Sequence, residues 1–194
     1  CARAAIEKGV PTTITYFGRE SARAIAAKHG HPQLLLGNNV LAHVPDINDF
    51  VGGMKILLAP GGVITMEFPH LVRLMEGNQF DTIYHEHFSY LSFGTVERIF
   101  THHGLRLFDV EQIPTHGGSL RIYACHADDA SKAKSSAAEQ LEREESDYGL
   151  WKLETYSRFE EQVRATKRRL LRFLIDSRDA GKKVAGYGAP GKGN

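Results

Sequence analysis

The chain has 194 residues, 42% of them hydrophobic, which suffices for one well-buried domain and part of a second. Lysine plus arginine number 24 against 23 acidic residues, so the net charge of +1 provides no field to gather nucleic acid or an anionic membrane, and a small-molecule partner is favoured. The two cysteines, Cys1 and Cys125, exclude a disulfide framework and fall short of a four-thiolate zinc site; with no apolar run of membrane length and no signal-peptide pattern in CARAAIEKG, a cytoplasmic location without an obligate protein partner is expected.

The opening residues read as the interior of an amphipathic helix. TTITYF (12–17) is a β-rich run, SARAIAAKHG (21–30) a helix with a serine cap and a glycine stop, and QLLLGNN (33–39) an apolar strand ending in polar residues. DINDFVGGMKILLAP (46–60) predicts a helix entered through Asp46 and ended by Pro60, and GGVITMEFP (61–69) a buried strand. TVERIFTHHG (95–104) returns to helical spacing. LRLFDVEQI (105–113) and SLRIYACH (119–126) are two strands joined by PTHGG, an antiparallel pair closing an otherwise parallel α/β sheet. From about Asp128 the chain is charged and nearly free of breakers, predicting one or two long connecting helices with an apolar stripe through Leu150, Leu153, Tyr156, Phe159, Val163, Leu170, Leu171 and Leu174. KKVAGYG (182–188) reads as a further strand, followed by a glycine-rich loop in which the sequence stops. Both ends are abrupt, and the sequence is expected to be a shortened one.

Four places carry chemistry. Asn38, Asn39 and His43 follow the strand at 33–39, where open α/β sheets bind ligands, although the asparagines can equally turn the chain. FDTIYHEHFSYLS is the densest set of ionisable groups, with Tyr84, His85, Glu86 and His87 consecutive. A plain strand would put His85 and His87 on one face and Tyr84 and Glu86 on the other. Metal binding, with His43, His70 or Glu67 completing a site, acid/base chemistry and structural hydrogen bonding all fit this cluster; the helical H-E-x-x-H spacing is absent. In PTHGGSLR, Gly117 and Gly118 make a turn beside His116, Ser119 and Arg121, and Arg121 can meet either a substrate phosphate or a carboxylate. Gly186, Gly188 and Gly191 fit a G-x-G-x-x-G phosphate loop to which Lys192 adds a positive charge.

Taken together, LLAPGG ahead of VITMEF and the final pair LRLFDVEQI and SLRIYACH resemble the fifth strand region and the antiparallel sixth and seventh strands of class I S-adenosylmethionine-dependent methyltransferases. More narrowly, NNVLAHVPD, EGNQFDTIYHEHFSYLS, PTHGGSLR and GYGAPGKGN, in that order, are similar to the sugar C-methyltransferases of deoxysugar pathways. The resemblance implies the C-terminal part of a Rossmann-like methyltransferase sheet over 1–127, connecting helices over 128–180 and the start of a second Rossmann-like domain over 181–194. It implies S-adenosylmethionine as methyl donor and a nucleotide-linked, dTDP-type 4-keto deoxysugar as acceptor. A base would remove the proton beside the ketone and the enolate would take the methyl group. On this resemblance His87 is the base, and Tyr84, Glu86 and His43 stabilise or orient the enolate. Asn39, His116, Ser119, Arg121 and Lys192 hold the nucleotide sugar, and Asn38 and Phe17 face the donor. If Tyr84, Glu86 and His87 converge, their segment must be a bent loop. The family's N-terminal zinc module and first glycine-rich donor loop have no counterpart in these residues, so no metal is expected here and the donor should bind weakly to this stretch alone. A metal-dependent hydrolase or isomerase built on Tyr84 to His87, and a non-catalytic nucleotide-sugar-binding module, are the competing readings.

Overall fold

The computed structural model describes residues 2–188. In chain order it contains α1 (Ala2–Glu7), α2 (Arg19–His29), β1 (Leu34–Asn38), α3 (Ile47–Leu57), β2 (Val63–Pro69), α4 (Leu71–Glu76), α5 (Phe93–His102), β3 (Leu105–Ile113), β4 (Ser119–His126), α6 (Ser136–Tyr148) and α7 (Leu153–Asp179). The helix boundaries follow local chemistry. Asp46 caps α3, its carboxylate accepting from the Asp49 N–H at 2.9 Å, and Ser92 and Ser135 cap α5 and α6 through their hydroxyls. In α2 the cap is Gly18, not a serine. Ser21 acts from inside the first turn, its Oγ accepting the Gly18 N–H at 2.9 Å, and a Cβ at Gly18 would lie 1.9 Å from the Asp49 carboxylate.

The four strands lie in the order β1-β2-β4-β3. β1 runs parallel to β2, while β4 inserts between β2 and β3 and is antiparallel to both. Only β4 is therefore reversed; β3 points the same way as β1 and β2. One face of the sheet, with Ile64, Met66, Phe68, Leu120 and Ile122, is covered by α3 and α5 and forms the core with Leu41, Val51, Phe93, Val96 and Phe100. An irregularity in β3 between Leu107 and Asp109 changes the strand's parity, so Leu105, Leu107 and Val110 all reach that core despite their uneven spacing.

Three expected features differ. Residues 12–17 form no strand, and Ile14 and Tyr16 are 68% and 99% exposed; a strand persists by sharing a hydrogen-bond ladder, and no described strand lies beside this run. Residues 182–188 likewise have no regular structure, and Gly191 and Lys192 lie outside the described residues. Of the apolar stripe expected along the connecting helices, Leu150 and Phe159 meet Val72, Leu74 and Met75, whereas Leu153 and Leu170 are 76% and 58% exposed. Helix α6 is integral to the sheet domain, since Ala138 and Leu141 enter the main core. No described helix is long and apolar enough to cross a membrane.

Candidate active site

Parallel strands β1 and β2 end together, with Asn38 opposite Glu67, and β4 begins beside them, with Ser119 opposite Pro69. Three connections therefore emerge at one end of the sheet: 39–46, 70–92 and 114–118. This is the crevice where an α/β sheet presents polar side chains without disturbing its core.

The 83–90 segment is a bent loop, as convergence of its side chains requires. Its main chain is anchored to the first connection, since the Phe88 and Ser89 N–H groups donate to the Ala42 carbonyl at 2.9 and 3.2 Å. The part-buried His87 ring lies at the centre, with centroid distances of 4.6 Å to Tyr84, 4.7 Å to His43 and 5.8 Å to Tyr90. The Nδ1 of His87 lies 2.9 Å from the Thr82 carbonyl, and the Nδ1 of His43 lies 2.9 Å from the Glu86 carbonyl. A carbonyl only accepts, so both Nδ1 atoms carry the proton. In each neutral ring Nε2 is then the basic atom. Glu86 and His85 are exposed; Glu86 joins the cluster through its main chain, and His85 meets Tyr84 at its edge, 6.1 Å between centroids.

Asn39 and His116 form a second polar pair, the Asn39 carboxamide donating to His116 Nε2 at 3.2 Å. Both residues have positive φ, 58° and 53°, as does Asn78 at 52° in the connection below them. The turn carrying His116 sits tightly on α4 and the residues after it. The Gln79 amide donates to the Gly117 carbonyl at 3.0 Å, and at Gly118, with φ of 123°, a Cβ would stand 2.8 Å from the Arg73 side chain.

Other candidates are engaged elsewhere. Asn38 ends β1 with its side chain exposed. The Ser119 hydroxyl donates to the Thr115 carbonyl at 2.9 Å and closes the β3–β4 turn. Arg121 pairs with Glu67 and, at 3.0 Å, with Glu111 across the neighbouring strands, and the Glu67 hydrogen bond raises its pKa above the ordinary arginine value. Phe17 packs edge-on against Phe50 at 5.3 Å and lines an open cavity of about 530 Å³ with Tyr16, Gly18 and one face of α2 from Glu20 to His29. Two participants are not announced by the residue pattern. The Thr82 carbonyl sets the His87 tautomer, and Tyr90, whose hydroxyl is pushed up by burial, closes the ring cluster. Tyr90 follows His87 by one helical turn's spacing in a loop, so no periodicity marks it. Among the described residues no group of three or more His, Cys, Asp or Glu side chains is arranged to hold a metal ion.

The family model for a C-methyltransferase C-terminal domain matches residues 114–194, and that for a methyltransferase domain matches residues 5–110. The C-methyltransferase NovU of Streptomyces niveus is 42% identical over 191 residues, covering 97% of this chain and 44% of its own length. The chain thus spans less than half of that relative. Among solved structures, a SAM-dependent methyltransferase from Anabaena variabilis aligns with a TM-score of 0.44 at 13% identity, covering 57% of this chain and 55% of that one. The N-methyltransferase NodS from Bradyrhizobium japonicum, in complex with S-adenosyl-l-homocysteine, aligns at 0.36 and 18% identity over 48% and 45%. With the methyltransferase-domain match extending over more than half of its length, the chain belongs to the methyltransferase family.

Proposed function

We propose that the protein carrying this chain methylates a carbon beside the ketone of a nucleotide-linked, dTDP-type 4-keto deoxysugar, using S-adenosylmethionine. The observation that carries the reading is the His87 arrangement: a part-buried imidazole whose Nδ1–H is held by a main-chain carbonyl, so that the basic Nε2 belongs to a cluster with Tyr84 and His43. The carbon acceptor is supported by similarity to a C-methyltransferase.

The residues do the following. His87 Nε2 takes the proton beside the ketone, a role that general bases fill with rate gains of about 10²–10⁴. The Tyr84 hydroxyl donates to the developing oxyanion, which forms only where donors stand ready for it, and the His43 ring orients the His87 imidazole beside it. Glu86, at the outer edge, orients His43 through its carbonyl. Asn39 of the first connection and His116 of the third contact the sugar, and Lys192 meets the pyrophosphate. Ser119 and Arg121, occupied by Thr115, Glu67 and Glu111, shape the wall rather than bind the phosphate. S-adenosylmethionine, when bound, supplies an electrophilic methyl group. The aromatic cavity at Phe17 is of a size to take an adenosine, and Asn38 offers a polar group at the end of β1.

The test is exchange of the proton beside the ketone into solvent by the intact protein given the nucleotide-linked keto sugar. His87→Ala is expected to abolish exchange and His85→Ala to retain it. Equal behaviour of the two variants contradicts the assignment.

A further inference from the structure

Behind the His87 loop lies a buried acid outside the methyltransferase-domain match. Glu145 of α6 is 3% exposed. Its Oε1 receives the Phe93 N–H at 2.6 Å and His70 Nε2 at 2.8 Å, and its Oε2 receives the Gly94 N–H at 2.9 Å. Burying a carboxylate is costly, and these donors offset the loss of water. His70 is 2% exposed, and its Nδ1 has no hydrogen-bond partner among the described residues. A carboxylate only accepts, so Nε2 carries the proton aimed at Glu145.

The position of these donors along the chain decides what the carboxylate does. His70 and Leu71 are where the chain leaves β2 for the second connection, and Phe93 and Gly94 are where it leaves that connection for α5. The Leu71 N–H donates to the Leu91 carbonyl at 2.9 Å, so the two ends lie side by side, and the His70 N–H donates to Gly118 of the third connection at 3.0 Å. One carboxylate thus closes the neck of the loop that bears Tyr84 and His87, and reaches the His116 turn through His70. Helix capping alone does not account for it, because Ser92 already caps α5 by accepting the Thr95 N–H.

We infer that Glu145, acting through His70 and the first turn of α5, is a positioning residue that holds the acid/base loop in register with His43. The inference rests on the reading of His87 as base. Misplacement of reacting groups by about 1 Å costs on the order of a hundredfold in rate.

The experiment compares wild type, Glu145→Gln, His70→Gln, His70→Leu and Leu141→Ala in the intact protein. It records steady-state exchange of the keto-sugar proton, amide hydrogen exchange over 82–89 without substrate, and Tm. Leu141, 2% exposed on the same helix, controls for loss of α6 stability while leaving the carboxylate and its donors in place. Glu145→Gln is expected to lower kcat for exchange about tenfold or more with KM within about twofold, and to deprotect 82–89. Leu141→Ala is expected to lower Tm but leave kcat within about twofold. His70→Gln, whose amide can still donate to Oε1, should retain more activity and protection than His70→Leu. Wild-type kcat and protection in Glu145→Gln, an equal kcat loss in Leu141→Ala, or equal losses in the two His70 variants would each overturn the inference. Should Glu145→Gln not fold, the His70 pair decides. Absence of proton exchange in wild type would sink the acid/base reading instead, and the amide protection would still decide whether Glu145 closes the neck.

Discussion

Replacing Asn39 by glycine and, separately, by alanine divides backbone strain from side-chain use at the end of β1. Its φ of 58° lies in the left-handed region, which costs a residue bearing a Cβ about 1–2 kcal/mol, less for asparagine. Alanine keeps the Cβ, loses asparagine's local compensation and forfeits the 3.2 Å hydrogen bond to the exposed His116, so Asn39→Ala is expected to lose about 1–2 kcal/mol. For a chain of this size that lowers Tm by about 2–8 °C. Glycine forfeits the same hydrogen bond but adopts the conformation freely, so Asn39→Gly should stay within about 0.5 kcal/mol of wild type after its larger unfolded-state entropy is counted. Both delete the carboxamide proposed to contact the sugar, and both should weaken nucleotide-sugar binding alike, by about fivefold for a net hydrogen bond of about 1 kcal/mol. Calorimetric unfolding and titration calorimetry on the intact protein read the two effects. Equal destabilisation by alanine and glycine would refute the strain argument, and wild-type affinity in both would remove Asn39 from the binding surface.

Burial and the Arg19 guanidinium push the pKa of His103 below its ordinary 6.5. The unfolded chain then takes the proton first as pH falls, so this contribution to stability is present above about 6.5 and is lost as pH drops through the folded-state value. His103→Gln is expected to flatten the fall in urea midpoint between about pH 7 and 5, and an unchanged slope would contradict it. Ser92→Ala removes the cap of α5 and should cost about 1 kcal/mol by urea denaturation, where no change would show the cap to be redundant. Phe100→Ala, at a position with 0% exposure, should cost about 3–5 kcal/mol, and a loss below about 1 kcal/mol would show that the core collapses around the gap. Arg121→Gln should lower Tm while leaving nucleotide-sugar affinity within about twofold, and a larger affinity loss would restore the arginine to phosphate binding.

What was legible in the sequence followed locality. The spacing of Leu105 to Ile113 and Ser119 to His126, with PTHGG between them, predicts both strands to the residue, because a hairpin is specified by its own turn and alternation. Asp46 is legible for the same reason, its partner Asp49 being three residues away. The failures concern partners distant in sequence. TTITYF has strand propensity, yet propensity without a neighbouring ladder leaves it irregular. At the site, the density of IYHEH points to the loop, while the ring stacking of His43 on His87, the tautomers set by the Thr82 and Glu86 carbonyls, and the engagement of Arg121 by Glu67 depend on main-chain paths that no spacing encodes. Glu145 lay in the charged, breaker-free stretch after Asp128, and only its burial distinguishes it.

The insertion of β4 between β2 and β3 also governs how the molecule is made. During synthesis β2 emerges before β4 and finds only β1 beside it, leaving unpaired the other edge of a strand that bears Ile64, Met66 and Phe68. Its partner there pairs Ile64 with Ala124, so that edge cannot close until the end of β4 has left the ribosome, several seconds later at about 5–20 residues per second. For that interval β2 is an unprotected edge strand of the kind that recruits other chains. Yield on expression should therefore depend on how fast the β3–β4 hairpin forms, which makes the glycines of its turn as consequential for biogenesis as for the finished crevice.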